Sequence, residues 1–227
     1  MLSLAQEKLI KSLQTNKGRQ KAGLWLVEGK KFIELAGNSV KTIFTPADTV
    51  NYRALTTTDT PPTIAATATI PSFSLEEIKA QKTILILDNI QDPGNLGTII
   101  RLAAAFQTGL LLYRCVDPGN PKVIRSSAGA IFQTPWQEID LDNLNKFCSA
   151  SGRPIYRLEN NKQAQPINSE TINQLPQELI IIAGSEGQGI TLPLGNQSLA
   201  INHNTAIESL NVATAVAITL FTCYQKA

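Results

Sequence analysis

Of 227 residues, 43% are hydrophobic and 17% charged, and the formal net charge is +2. Apolar content this high and charge this low exclude a disordered chain; no apolar run comes near the ~18 residues of a helical membrane span. The charge is unevenly spread: residues 1–41 hold eight Lys/Arg and three Asp/Glu, leaving +5 there and −3 on the rest, which suits a polyanion-docking surface and equally a solvated helix face.

Leu2, Leu9, Ile10 and Leu13 share one stripe at helical spacing, with Lys8 and Lys11 off it, so residues 2–14 are expected to be helical. TNKGRQKAG (15–23) reads as a polar turn. LWLVEG (24–29) reads as a strand, KKFIELAG (30–37) as a short helix closed by Gly37, and VKTIFT (40–45) as a second strand stopped by Pro46. Residues 56–72, rich in Thr, Ala and Pro, finish this small α/β unit and lead into a connector. Ser74-Leu-Glu-Glu77 is a capping-box signature. A small domain with its connector is therefore expected over 1–76 and a larger domain over 77–227.

TILILD (83–88), GLLLY (109–113) and ELIIIAG (178–184) are near-continuous apolar runs, as strands buried on both faces of a mainly parallel sheet require. PIYRLE (154–159) and SLAIN (198–202) read as further strands. A helix capped by Asn95 is expected from about Leu96 to Gln107. Another, from Ser209 to Tyr224, is apolar on every face and must be buried inside the domain or against another subunit. The alternation predicts an α/β fold.

Three constellations carry possible chemistry. Asp88–Arg101 lies where a buried strand gives way to a helix, the edge of a parallel sheet where ligands bind. There Asn95 offers amide hydrogens, Gly97 permits a close approach by backbone or ligand, and Arg101 can reach an anion; a capped helix with a surface arginine is the bland alternative. Gly184-Ser-Glu-Gly-Gln-Gly189 follows a strand, but its glycine spacing matches neither a dinucleotide fingerprint nor a P-loop. Ile201-Asn-His203 and Glu208-Ser-Leu-Asn211 precede the terminal helix, which Ser209 or Asn211 can cap. A second Asp-Pro-Gly-Asn at 117–120 reads as recurring turn chemistry. The downstream Ser126, Ser127 and Gly129 are weak candidates for the same cleft. Cys115, Cys148 and Cys223 are scattered, so no disulfide framework and no metal site are expected. His203, the single histidine, reads as a structural hydrogen-bonding residue. The opening MLSLAQEKLIKSLQ has no charged segment followed by an apolar core, so a cytoplasmic location is expected.

Taken in order, N-x-G-x-x-x-R, G-S-E-G-x-G and E-S-L-N-V resemble motifs 1, 2 and 3 of the SpoU/TrmH RNA 2′-O-ribose methyltransferases of the SPOUT class. GRQKAGLWLVEGKKFIELA resembles that family's amino-terminal substrate-binding domain. The resemblance implies a trefoil-knotted methyltransferase domain with a mainly parallel sheet, a small α/β RNA-binding domain, and a homodimer joined through the terminal helix. It implies S-adenosylmethionine bound by Gly184, Ser185, Glu186, Gly187 and Gly189 on one wall and by Ile201, Ser209 and Leu210 on the other. Arg101, Asn95, Glu186, Ser209 and Asn211 are then the catalytic candidates, with Asn95 and Arg101 supplied by either the same or the partner subunit. Lys17, Arg19, Lys21, Lys30 and Lys31 become RNA-backbone contacts, and the two-domain build resembles the family's ribosomal RNA enzymes more than its transfer RNA enzymes. Asn202-His203 departs from the family's Pro-Met. A guanidinium stays protonated, so Arg101 is better suited to holding phosphate and stabilising a developing alkoxide than to acting as base. Two rivals remain: an RNA-binding assembly factor that has lost transfer, and a small-molecule enzyme using the glycine loop for a nucleotide.

Overall fold

The computed structural model describes residues 1–204 and 206–226. The first helix is α1 (Leu4–Ser12), opened by a capping box in which Ser3 and Gln6 satisfy each other's backbone amides. Ile10 and Leu13 are fully buried while Leu9 stays exposed, so its apolar stripe is narrower than the sequence implied. TNKGRQKAG does not form a turn. Residues Asn16–Ala22 make a second helix, α2, capped by Thr15 and ended by Gly23 in the left-handed region (φ 62). Then come β1 (Leu24–Glu28), α3 (Lys30–Ala36), β2 (Val40–Phe44), α4 (Tyr52–Leu55) and β3 (Ala65–Thr69). The Thr/Ala-rich stretch contains the central strand: β3 lies between β1 and β2, antiparallel to both. Its alanines are buried, and their small side chains leave room for Ile33 and Ala36 of α3 to pack close.

After α5 (Leu75–Lys79) the chain enters a seven-stranded sheet. Its elements are β4 (Thr83–Asp88), α6 (Pro93–Ala105), β5 (Thr108–Tyr113), α7 (Pro121–Ser126), β6 (Trp136–Glu138), α8 (Leu141–Ser151), β7 (Ile155–Leu158), β8 (Gln165–Pro166), α9 (Ser169–Gln174), β9 (Leu179–Gly184), β10 (Gln197–Ala200) and α10 (Val212–Gln225). The order is β6-β5-β4-β9-β7-β10-β8, and every neighbouring pair is parallel. Alternate residues of β4, β5 and β9 face opposite layers. Leu85, Leu87, Leu110, Leu112 and Ile181 pack toward α6 and α10, while Ile84, Ile86, Leu111, Ile180 and Ile182 pack toward Leu144 and Phe147 of α8. Covering both faces is what the unbroken apolar runs require. Each such side chain contributes about 1.5–3 kcal/mol when buried.

Two helix starts differ from expectation. Asp92, not Asn95, caps α6, and Pro93 takes the first helical position, where its missing N–H costs nothing. α10 begins at Val212, because Asn211 takes the cap by accepting the Ala213 and Thr214 amides, leaving Ser209 in the preceding loop. Between β9 and β10 the chain crosses beyond β7, then returns to lay α10 against α6, α9 and β9.

Candidate active site

The carboxyl ends of β4, β9, β7 and β10 form one edge of the sheet, and segments far apart in the chain meet there. β4 ends at Asp88, which is fully buried. Its carboxylate accepts the backbone amides of Thr191 (2.5 Å) and Leu192 (2.9 Å) and the Thr191 hydroxyl (3.1 Å). Charge-assisted bonds of this kind are strong, and they pin the loop after β9 to the strand end. Arg157, on β7, holds the same loop from the other side. It donates to the carbonyls of Leu192 (2.8 Å) and Leu194 (3.0 Å) and pairs with Glu159 (2.9 Å). Hydrogen bonding from Arg157 holds the Glu159 carboxyl below its ordinary range.

The glycine turn lies between these anchors. The Ser185 amide donates to the Asp88 carbonyl (3.2 Å) and the Gly189 amide to the Ser185 carbonyl (2.8 Å). A Cβ at Gly184 would lie 2.2 Å from the Gly189 carbonyl oxygen, so the fold requires that glycine, and Gly189, at φ 66, takes the left-handed conformation that favours one. Gly187 has an ordinary φ, and a Cβ there would meet nothing within 4 Å.

Glu186 joins all three motifs. Its Oε1 accepts the Asn95 side-chain amide (3.2 Å), the Asn211 side-chain amide (2.6 Å) and the Val212 backbone amide (3.2 Å). The Asn211 amide also donates to Asn95 Oδ1 (3.0 Å). With α6, the glycine turn and α10 tied at one carboxylate, the position of each depends on the other two.

Two cavities flank this cluster. The first, about 210 Å³, is lined by Gly184, Ser185, Glu186, Gly189, Ile201, Ser209 and Leu210, with Ala183, Leu199 and Val212 as apolar wall. The second, about 330 Å³, is lined by Asn89, Gln91, Asp92, Asn95, Gly187 and Gln188. Ser185, Glu186 and Val212 belong to both. Adjacent chambers with a shared wall suit transfer of a group between two bound molecules.

Of the residues singled out in the sequence, Gly187 lies on the second cavity rather than the first, and Asn211 acts through Glu186 without lining either. Arg101 is exposed on α6 and lines neither cavity of its own chain. Gly97 serves a helix contact rather than a ligand: its Cβ would lie 2.5 Å from Ser126 Cβ and 2.7 Å from the Val123 carbonyl of α7. Ser126, Ser127 and Gly129 line neither cavity. His203 sits in the first cavity, and its Nδ1 lies 2.8 Å from the Ile201 carbonyl, an acceptor, so Nδ1 carries the proton. Lys17, Lys21, Lys30 and Lys31 are exposed, whereas Arg19 is buried and paired with Asp117, which removes it from any RNA-facing surface. Sequence reading placed Asp88 at the head of the first constellation without its loop-anchoring role, and missed Arg157 and the β7-end residues Leu158, Glu159 and Asn160 of the first cavity. The available signal was that β7, as a parallel strand, must end on the ligand-binding edge. Burial pushes the Cys115 thiol up to about 12 and those of Cys148 and Cys223 to about 11, so none supplies a thiolate at neutral pH. Among the described residues, no three side chains of metal-ligating type cluster.

The SpoU rRNA Methylase family has a model that matches residues 82–221. An uncharacterized tRNA/rRNA methyltransferase of Synechocystis sp. is 33% identical, over 94% of this chain and 88% of its own. The 23S rRNA (guanosine(2553)-2′-O)-methyltransferase RlmP of Bacillus subtilis is 31% identical, over 93% of this chain and 92% of its own. The crystal structure of an AdoMet-bound rRNA methyltransferase from Sinorhizobium meliloti superposes with a TM-score of 0.83 at 25% identity, covering 99% of this chain and 97% of that one. The chain belongs to the SpoU rRNA Methylase family, the SPOUT-class RNA 2′-O-ribose methyltransferases whose fold carries a trefoil knot.

Proposed function

We propose that the protein methylates a ribose 2′-hydroxyl in structured ribosomal RNA, that it works in the cytoplasm as a homodimer, and that residues 1–76 hold the RNA while 77–227 carry the transfer. S-adenosylmethionine supplies an activated methyl group when bound. The first cavity fits it: Ala183, Leu199, Leu210 and Val212 give an apolar slot for a purine, Ser185 and Ser209 offer hydroxyls at its rim, and Gly184 and Gly189 keep one wall bare of side chains. The second cavity would receive the target nucleotide. Glu186 is held by three donors on one oxygen, so it orients Asn95 and Asn211 at the shared wall without a reorganisation cost at the moment of reaction. Arg101 would hold a phosphate beside the target ribose and stabilise the developing alkoxide, and its hydroxyl proton would pass to phosphate or water. Lys17, Lys21, Lys30 and Lys31 would hold the RNA backbone, and a 2′-hydroxyl substrate selects RNA over DNA.

The observation that carries this reading is the contact of Asn95, Glu186 and Asn211, three motifs meeting between two cavities. The ribosomal target is supported by the RlmP and S. meliloti relatives. A homodimer is supported by the exposed Ile218, Phe221 and Tyr224 of α10, an apolar face that an identical helix would cover. Arg101 lies on α6, which packs against α10, so such a dimer would carry it toward the partner's second cavity.

Complementation tests the arrangement. Arg101→Ala and Asn211→Ala are each expected to abolish methylation of a 23S rRNA transcript, the first with cofactor affinity nearly intact by calorimetry. Mixed dimers of the two would regain about a quarter of the parental rate, since half the dimers are hybrid and each rebuilds one of two sites. No recovery in verified hybrids would place Arg101 in its own chain's site; equal loss of cofactor binding in Arg101→Ala would reject its role altogether.

A further inference from the structure

We infer that the small domain is locked to the methyltransferase domain by the segment Asp117–Arg125, so that RNA docking and methyl transfer occur at a fixed spacing. The consequence for RNA rests on the methyltransferase reading above; the lock rests on geometry alone.

Trp25 belongs to β1 of the small sheet, yet it is 2% exposed and lies in the core of the large domain with Ile124 and Ile131. Its indole stacks on Trp136 (5.9 Å between centroids, 10° between planes) and tilts against Phe132 at 5.9 Å. Gly119 makes room for it: a Cβ there would lie 2.2 Å from the indole nitrogen. Two ion pairs flank the ring. Arg19 of α2 donates to Asp117 through Nε (2.8 Å) and Nη2 (2.5 Å), and its Nη1 donates to the Leu13 carbonyl (2.8 Å). Arg125 of α7 pairs with the buried Glu28 of β1 at 2.8 Å. Charges buried in this way are stable only with their partners in place, so the two pairs fix one register between the domains.

The lock continues to the reactive edge. Lys122 lies 3.6 Å from Asp92, the residue that caps α6 and lines the second cavity. α7 packs on α6 at Gly97, two residues after Asn95. The second Asp-Pro-Gly-Asn is therefore more than repeated turn chemistry: Asp117 holds Arg19, Gly119 admits Trp25, and Asn120 caps α7. The helix that buries Arg19 also carries the exposed Lys17 and Lys21, so the element that would grip RNA is itself the docked one. A freely tethered domain would sample many distances to the site. A locked one accepts RNA only where the gripped backbone and the target ribose are already correctly separated.

Asp117→Ala and Trp25→Ala test this separately. Small-angle scattering of the full parental chain should fit one domain arrangement, and each variant should need an ensemble with a larger radius of gyration. Cofactor affinity by calorimetry should stay within about twofold, which establishes that the site is folded. On a 23S rRNA transcript, KM should rise about tenfold with kcat within about twofold, because alignment is lost before the bound complex forms. Parental scattering that requires several domain positions would overturn the lock. So would variants that match the parent in both scattering and KM. A parental protein that methylates no rRNA transcript would refute the functional reading while scattering still decides the lock.

Discussion

Gly184 and Gly187 stand three residues apart in one turn and answer to different constraints. Gly184 is fixed by a backbone oxygen that a methyl group would strike; Gly187 faces open space at the second cavity. Gly184→Ala is expected to lower stability by about 1–3 kcal/mol, since a Cβ 2.2 Å from the Gly189 carbonyl oxygen forces the turn to shift, and to weaken cofactor binding with it. Gly187→Ala is expected to leave stability within about 0.5 kcal/mol of the parent. Denaturant melts of the two variants, side by side, check the distinction; equal losses would mean the turn is held by something other than this contact. Asn95 and Arg19 teach the same lesson from opposite directions. Asn95 has a helix-capping side chain but is spared that task by Asp92, so its amide is free to reach Glu186. Arg19 sits among exposed lysines and is itself spent on Asp117.

The loop between β9 and β10 is the element on which the first cavity depends, and it has little regular structure of its own. Asp88 and Arg157 hold it from two neighbouring strands. The Glu159 partner of Arg157 has its carboxyl lowered from 4.5 in the fold. A lowered carboxyl stabilises the fold fully above its ordinary value and loses that contribution as pH falls through the lower folded value. Acidification below about pH 4 should therefore loosen residues 190–194. Amide exchange there, corrected for intrinsic rates, is expected to rise at acid pH in the parent and to rise less steeply in Glu159→Gln, where only the Asp88 carboxylate still anchors the Thr191 and Leu192 amides. Parallel pH profiles for the two proteins would disconnect this carboxylate from the loop.

Over the whole molecule the charge is uneven: +5 in the first 41 residues against −3 elsewhere. Four of those cations, Lys17, Lys21, Lys30 and Lys31, point to solvent and one, Arg19, does not. Replacing any of the four lysines by Ala should weaken RNA binding and reduce the slope of log affinity against log salt by about 0.7–0.9, one released counterion each. Arg19→Ala should instead cost about 3–5 kcal/mol of the contact between the two domains, because Asp117, largely enclosed, is left without its partner. A lysine variant with an unchanged salt slope would remove that residue from the RNA-facing surface.

The strands of the large sheet were legible because a strand covered on both faces has no polar positions to confuse its pattern, as TILILD and ELIIIA show. The three motifs were legible because each is a short run of glycine, amide and charged residues beside a predicted strand or helix end. The small sheet was less so: AATAT has weak strand preference and becomes the central strand only because two neighbours and α3 close over it. Composition, period and motif thus determined the α/β class, the strand-end edge where the motifs meet and the family resemblance, all of which depend on local pattern. Tertiary structure alone decided that Arg19 is buried, that Asp88 and Arg157 hold the loop after β9, that Trp25 serves the other domain's core, and that Arg101 stands apart from the cavities of its own chain. Each of these is set by a partner or cavity wall many residues away, and a local pattern carries no information about which distant groups the fold will bring within bonding distance.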